Sequence, residues 1–427
     1  MCSDFKYSTK IRFIAIIGLL FAVSTGHSQN TTSPYSVLGI GDVDTKDFGR
    51  YFSSGNASLG RRDAGALNFS NPASLTALPF KTMNFDITFR GRTSTYKYPD
   101  FDTTLGKNKD FVVKRISFAF KLDKKSAVSF GLKPYSSVNY QYYAYGKIAD
   151  GDGTYVKTIE GDGGIHQLFG SYAREFGKHF SAGITGGFLF GNFYKNTTYT
   201  GTDLSYSITK KEYDFYNGAN ALLGLQYYSS DTKKWQHRVG ATAQVATKLK
   251  GILTTEYYEG TSTTALTTTQ EDNKGFKLPI SYGLGYSATY KKKLALSLDG
   301  NYYNWPTQSL SSTSNYTTGP SFRISSGIEY SKYAKSFNGM IEKYYLSMGS
   351  TVQNSYINLD NNKIWDYSFS FGGGITVTRG TNIYGGMEFG TRGNRNLGQI
   401  RENYTQFVIG LTMKDIWIGP RYTRKYD

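Results

Sequence analysis

Apolar and polar residues alternate one for one along many segments of this chain. In DYSFSFGGGITVT (366–378), Tyr367, Phe369, Phe371, Ile375 and Val377 share one face, with Ser368, Ser370, Gly372, Gly374 and Thr376 on the other. Ile116, Phe118, Phe120 and Leu122 stand against Ser117, Ala119 and Lys121. Leu294, Leu296, Leu298 and Tyr302 oppose Ser297, Asp299 and Asn301, and Phe407, Ile409, Leu411 and Met413 repeat the pattern. A period of two predicts strands with one apolar and one polar face.

A soluble sandwich and a membrane barrel both alternate in this way, so the connections decide between them. Short turns fall at 122–125, 176–179, 229–235, 291–293 and 379–381, with a longer member of the same set at 333–343. Long polar insertions lie between them, at 92–110, 148–163, 197–210, 259–273, 306–319, 359–363 and 393–402. Short turns on one rim and long loops on the other mark a transmembrane β-barrel. Seven loops and six turns predict an all-β, 14-stranded antiparallel barrel with both chain ends in the periplasm. Closure has a physical reason: in hydrocarbon every backbone N–H and C=O needs a partner, and an open edge would strand a row of them.

Composition supports this reading. The chain holds 37 Tyr, 28 Phe and 48 Gly but only 9 Pro in 427 residues. Tyr227-Tyr228, Tyr257-Tyr258, Tyr302-Tyr303, Trp305 and Tyr344-Tyr345 lie near the expected strand ends, where amphipathic rings suit the bilayer interface. Lys6, Lys10 and Arg12 precede the apolar run FIAIIGLLFAV (13–23), which is too short to span a bilayer and reads as a cleaved signal peptide over 1–28. The single cysteine, Cys2, leaves with that leader, so the exported chain has no disulfide, thiolate nucleophile or cysteine metal site. The formal net charge is +17, but the basic residues are dispersed and form no nucleic-acid motif. Outer-membrane lipids are the expected electrostatic partner.

Little in the sequence points to catalysis or a cofactor. His166, His179 and His237 are far apart and lack metal-ligand spacing. Gly372–Gly374 follow the alternation of their strand and read as packing space. DGDG (150–153) lacks the later glutamate of a calcium loop. No nucleophile elbow, P-loop or dinucleotide fingerprint is present. The chain is therefore expected to be neither an enzyme nor a metalloprotein.

Residues 29–80 precede the barrel and are too rich in Gly, Ala and apolar residues for a disordered tail. They contain SPYSVLGIGD, with Pro34, Tyr35, Gly39 and Gly41, and NFSNPASLTAL, with Asn71, Pro72 and Ala73. Strand three carries Gly131, Pro134 and Tyr135, and a mid-strand proline belongs at a bulge, edge or break. The Asn-Pro-Ala turn before strand one and the proline in strand three resemble the FadL family of outer-membrane long-chain fatty-acid transporters. SPYSVLGIGD, GLKPYSSVNY and the terminal RKYD resemble a Bacteroidetes-type branch of it. The resemblance implies an N-terminal hatch over 29–80, with Asn71, Pro72, Ala73, Pro34, Tyr35, Gly39 and Gly41 among its residues. It also implies a hatch turn close to a kinked strand three, and a lateral wall opening at Gly131, Pro134 and Tyr135. No residues match the family's ligand pocket.

The barrel itself is expected over 81–413, followed by a basic periplasmic tail, 414–427. The expected function is passive uptake of a hydrophobic or amphipathic, fatty-acid-like molecule through hatch and wall opening. Two alternatives stand beside it. An accessory subunit of an outer-membrane protein machine would dock partners through its surface or its tail, with Arg421, Arg424 and Lys425. A general porin would have an open aqueous lumen.

Overall fold

The computed structural model describes residues 33–99, 106–147, 153–201, 204–230, 234–273, 275–309, 316–336, 339–378 and 380–416. The proposed signal peptide, and the tail beyond Ile416, lie outside them.

The strands, in chain order, are β1 (Thr82–Lys97), β2 (Gly106–Lys121), β3 (Ser126–Lys147), β4 (Thr154–Phe176), β5 (Phe180–Gly201) and β6 (Ile208–Tyr228). β7 runs as Trp235–Ala246 and Lys248–Glu259, interrupted at Thr247. β8 comprises Thr267–Asp272, Phe276–Lys277 and Ile280–Tyr290. β9 is Leu294–Asn304, and β10 comprises Tyr316–Thr318 and Ser321–Ser336. β11 (Gly339–Leu359), β12 (Asn362–Thr378), β13 (Thr381–Arg392) and β14 (Arg401–Ile416) complete the set. Every neighbour pairs antiparallel, and β14 closes on β1 from Arg401↔Lys97 to Ile416↔Thr82. The result is a closed 14-strand barrel, as the alternation and loop count predict.

Burial places this barrel in a bilayer. Leu296 and Leu298 are 40% and 55% exposed, whereas Ser297 and Asp299 between them are 8% and 2% exposed. Tyr367, Phe369, Phe371, Ile375 and Val377 all face outward, as do Phe407 and Ile409. A water-soluble sheet buries its apolar face. Here that face is outside, where lipid can cover it. The chain is an outer-membrane β-barrel.

The strands are longer than a membrane crossing requires. β3, β4 and β5 run 22, 23 and 22 residues, against about 10 needed to span. Many residues expected in outer loops are therefore strand extensions above the bilayer. The expected 359–363 loop is a two-residue turn, Asp360-Asn361, with φ of 48° and 62°. Positive φ at both central residues belongs to the type I′ hairpin turn, whose twist matches that of the flanking strands. β14 also continues three residues past Met413, pairing Lys414 with Asn84 and Asp415 with Met83.

Residues 33–80 thread the lumen as short 3₁₀ turns: Pro34–Val37, Arg50–Ser54 and Pro72–Ala77. Arg50–Ser54 touches β10 to β13, and Pro72–Ala77 touches β3 to β6 across the barrel. Two apolar layers result. Toward the outer rim, Tyr35 and Ile40 pack with Tyr135, Phe276, Trp305 and Tyr356; toward the periplasm, Leu67, Leu75 and Leu78 pack on Ala119, Ala127 and Ala173. Charged side chains fill the space between.

Candidate functional site in the lumen and the wall

The Asn71 turn is built locally and then locked. Pro72 presets φ for a first helical position, and Asn71 caps the turn by accepting from the Ala73 N–H at 3.1 Å. Its Nδ2 donates to the Leu59 and Leu225 carbonyls, both at 3.1 Å. The turn lies against β5 and β6 at Gly183 and Gly224. A Cβ on Gly224 would collide with Asn71 Oδ1 and the Pro72 ring, so the wall has no room there for a side chain.

Ion pairs hold the rest of the segment. Arg50 donates to Glu342 at 2.6 and 2.8 Å and to Glu329 at 2.8 Å. Arg61 reaches Glu329 at 2.6 Å and Asp63 at 2.7 Å. Lys46–Glu388, Asp42–Arg392 and Asp44–Lys114 close at 2.8, 2.8 and 2.6 Å, and Asp47–Arg115 and Arg62–Glu175 are paired as well. The Ser58 and Leu59 N–H groups donate to Asp299 at 2.5 and 2.8 Å. Burial raises the Asp63 pKa, but Arg61 and Arg50 outweigh it and hold the carboxyl well below its usual range. Removing one partner of such a buried pair costs about 3–5 kcal/mol, so moving the segment as a body would break several costly contacts at once.

The wall is incomplete between β2 and β3. β2 and β3 pair only from Lys121↔Ala127 to Ile116↔Leu132, although both strands continue well beyond. Two residues later Pro134 lacks a donor, and the β3–β4 register shifts between Pro134 and Ser136. The extra residue of this bulge, Tyr135, turns into the outer apolar layer. The edge of β3 left by β2 is taken over by the N-terminal segment. Asp42 pairs with Ser137 and Val43 with Ser136, the Asp44 N–H donates to the Tyr135 carbonyl at 2.9 Å, and Ser36 Oγ donates to the Asn139 carbonyl at 3.0 Å. Gly41 (φ 82°) permits this approach, since a Cβ there would strike the Ser137 carbonyl and Val138.

Pro134 lines a cavity on each side of this break. The inner one, about 130 Å³, lies among Val43, Phe69, Tyr135, Tyr303 and Trp305, with Gln167, Asn220 and Arg323 contributing polar groups. The outer one, about 250 Å³, sits in the β2–β3 gap between Val112, Val113 and Val138, with Arg90, Asp110 and Lys114 on the β2 side. Arg90 Nε, Asp110 Oδ1 and Ser136 Oγ are buried around it without a protein partner among the described residues. Such atoms call for water or another polar guest.

The chain matches the BamG family over residues 10–427. It belongs to the BamG family. Its fold is shared with FadL-family outer-membrane channels. A FadL homologue of Pseudomonas aeruginosa is 11% identical, with 89% of this chain and 100% of that one covered at a TM-score of 0.57. The Pseudomonas putida toluene transporter TodX is 14% identical, with coverage of 89% and 100% and a TM-score of 0.57. The Ralstonia pickettii toluene transporter TbuX is 13% identical, with coverage of 85% and 97% and a TM-score of 0.54. No curated protein matches the sequence.

In this BamG-family barrel the residues singled out from sequence fall into two separate groups. Pro34, Tyr35, Gly39, Gly41, Gly131, Pro134 and Tyr135 gather on the gap side of the outer half. Tyr35 donates to the Ile400 carbonyl at 2.6 Å, and Gly131 pairs with Ser117, one rung before the β2–β3 ladder ends at Ile116↔Leu132. Asn71, Pro72 and Ala73 sit on β5 and β6 instead. The resemblance implies a turn close to the strand-three kink, but the element that meets this kink is Asp42–Asp44. Sequence reading passed over the charged partners. Glu329, Glu388 and Asp299 lie within strands and meet Arg50 with Arg61, Lys46, and the Ser58–Leu59 backbone of the lumenal segment, while Asp86 and Glu402 pair with Arg115 and Arg92 of the wall. Carboxylates on the inward face of a strand, opposite an arginine-rich pre-barrel segment, were the available signal. His166 faces outward at the gap, His179 Nδ1–H donates to the Tyr228 carbonyl at 2.9 Å, and His237 meets the Tyr286 hydroxyl.

Proposed function

We propose that the barrel passes small apolar or amphipathic molecules, about the size of one aromatic ring, sideways into the outer membrane. The observation that carries this reading is the break in the β2–β3 ladder, with Pro134 lining a cavity on either side. A molecule would enter through the aromatic layer around Trp305 and Tyr356, rest beside Tyr135, and leave through the gap. Residues 33–80 act as the hatch, but only the Pro34–Asp44 part needs to move, because it alone covers the β3 edge. Size narrows the substrate: a cavity of about 150 Å³ holds one benzene, and the inner cavity, whose lining also carries Asp44, Lys46, Asp47, Lys133 and Arg323, is slightly smaller, which suits a small amphipathic guest. An extended fatty acid would need far more room. TodX and TbuX, which share the fold, are toluene transporters by name.

The test is toluene entry into proteoliposomes. Pro134→Val, which restores a ladder donor on β3, should slow entry severalfold while heat-modifiable gel mobility stays normal. Equal entry with the variant, the parent and empty vesicles removes this reading.

The buried ion pairs favour a second reading, in which the lumen is stationary and the barrel is an accessory subunit of an outer-membrane machine. Gentle extraction separates the two: a stoichiometric outer-membrane partner together with protein-independent toluene entry would support the second.

A further inference from the structure

A second feature lies on the outside of the barrel, away from the gap. Between the upper ends of β12, β13 and β14, under the 393–400 connection, is a cleft of about 530 Å³. Register places its walls on the lipid-facing side. Tyr367 pairs with Thr391 and Thr391 with Asn403, so Trp365, Tyr367 and Arg401 share the outward face, while Asp366, Arg392 and Glu402 point inward. One and two rungs lower on that face stand Phe369 and Phe389, then Phe371 and Phe407, all exposed.

The cleft is polar and cationic where the wall below it is apolar. Trp365 and Tyr367 stack with ring centroids 6.1 Å apart and planes 14° from parallel. Arg401 is exposed, and its side chain makes no ion pair or hydrogen bond among the described residues. Arg395 donates to the Tyr98 and Pro99 carbonyls at 3.2 and 3.3 Å, which pins the connection over the cleft. Asn394 and Asn396 add further polar groups, and Lys363 stands on the same face with its ammonium over the Phe322 ring. Among the described residues no carboxylate lines the cleft.

We propose that this cleft binds the phosphate-bearing headgroup of an outer-leaflet lipid, whose chains lie along Phe369, Phe389 and Phe407. Charge and polarity both select such a ligand. The Arg401 guanidinium matches phosphate oxygens, Arg being suited to planar, bidentate recognition. The stacked Trp365–Tyr367 pair sits at interfacial depth, where the ring bodies can touch glycerol or sugar and upper chain atoms. A free phosphate would use only Arg401 and leave the aromatic wall uncovered. The site does not depend on whether the lumen conducts.

The test is native mass spectrometry of the full chain extracted in detergent, with phosphatidylglycerol, phosphatidylcholine or sodium phosphate added in separate arms. Phosphatidylglycerol should be retained in preference to phosphatidylcholine. One basic residue near a membrane surface is worth about fivefold in lipid affinity, so Arg401→Gln should lower retention by about that factor. Arg401→Lys should keep most of it, and Trp365→Ala should lower it without a change in charge. Lys124→Gln, in an exposed turn on the opposite rim, is the charge control and should change nothing. Equal retention of the two lipids, an equal loss in Lys124→Gln, or full displacement of the lipid by sodium phosphate at equal concentration would each overturn the proposal.

Discussion

Glu329 accepts from Arg50 and Arg61 together, at 2.8 and 2.6 Å, on the inner wall of β10. Glu329→Leu keeps the volume but leaves two buried guanidiniums short of compensation. Glu342 and Asp63 still serve them in part, so the expected loss is about 3–5 kcal/mol, read from urea unfolding in micelles. Asp63 gives this network a pH dependence of known sign. Its folded pKa lies below the unfolded value, so its contribution is complete above about pH 4 and fades as pH falls through the folded pKa. Acid titration should therefore expose residues 33–80 to protease before the barrel unfolds, and Asp63→Asn should abolish that low-pH step. Gly224→Val tests the Asn71 turn at the same scale. The new side chain would occupy the space of Asn71 Oδ1 and the Pro72 ring, so proteolysis near Asn71 should accelerate while heat-modifiable mobility of the barrel persists.

At the scale of elements, the strand pairing around β3 decides what the wall can do. β3 exchanges one partner for another along its length: β2 up to Leu132, then a two-residue piece of the N-terminal segment at Ser136 and Ser137. An edge left bare here would carry unpaired backbone groups beside lipid, which costs several kcal/mol per group. Asp42–Asp44 prevents that while remaining a separate, short element. Asp44→Pro removes the donor to the Tyr135 carbonyl, so amide exchange at Ser137, which faces Asp42 in the same short ladder, should accelerate, with the β3–β4 ladder below Leu132 protected as before. Unchanged exchange would mean that the substitute strand does not shield this edge.

For the whole molecule, the outer apolar layer, the ion pairs and the inner apolar layer lie in series across the lumen. A general porin keeps an aqueous path open, whereas here, among the described residues, these layers occupy the lumen. In a planar bilayer the folded protein should show conductance far below that of a porin with the same strand number. Replacing Arg50, Arg61 and Lys46 together by Ala should raise it by loosening the central layer. Porin-like conductance from the unaltered chain would contradict the lumen described here.

The barrel was legible in the sequence because a barrel in lipid must write its two faces into every strand. Leu294, Leu296 and Leu298 against Ser297 and Asp299 state that rule locally, and the alternation of short turns with polar insertions supplied the strand number. Pro134 was legible too, since proline cannot serve as a ladder donor wherever it falls. Strand ends were not: polar residues in 148–163 and 259–273 look alike whether they form loops or ladder rungs above the membrane, and only pairing distinguishes them. The site depended still more on the tertiary structure. Asp42 and Ser137, Arg50 and Glu329, and Asp44 and Lys114 are far apart in the chain, and no local pattern says which charge meets which. Periodicity is a property of each strand and survives in sequence. Partnership across the lumen is a property of closure, and it exists only once β14 has met β1.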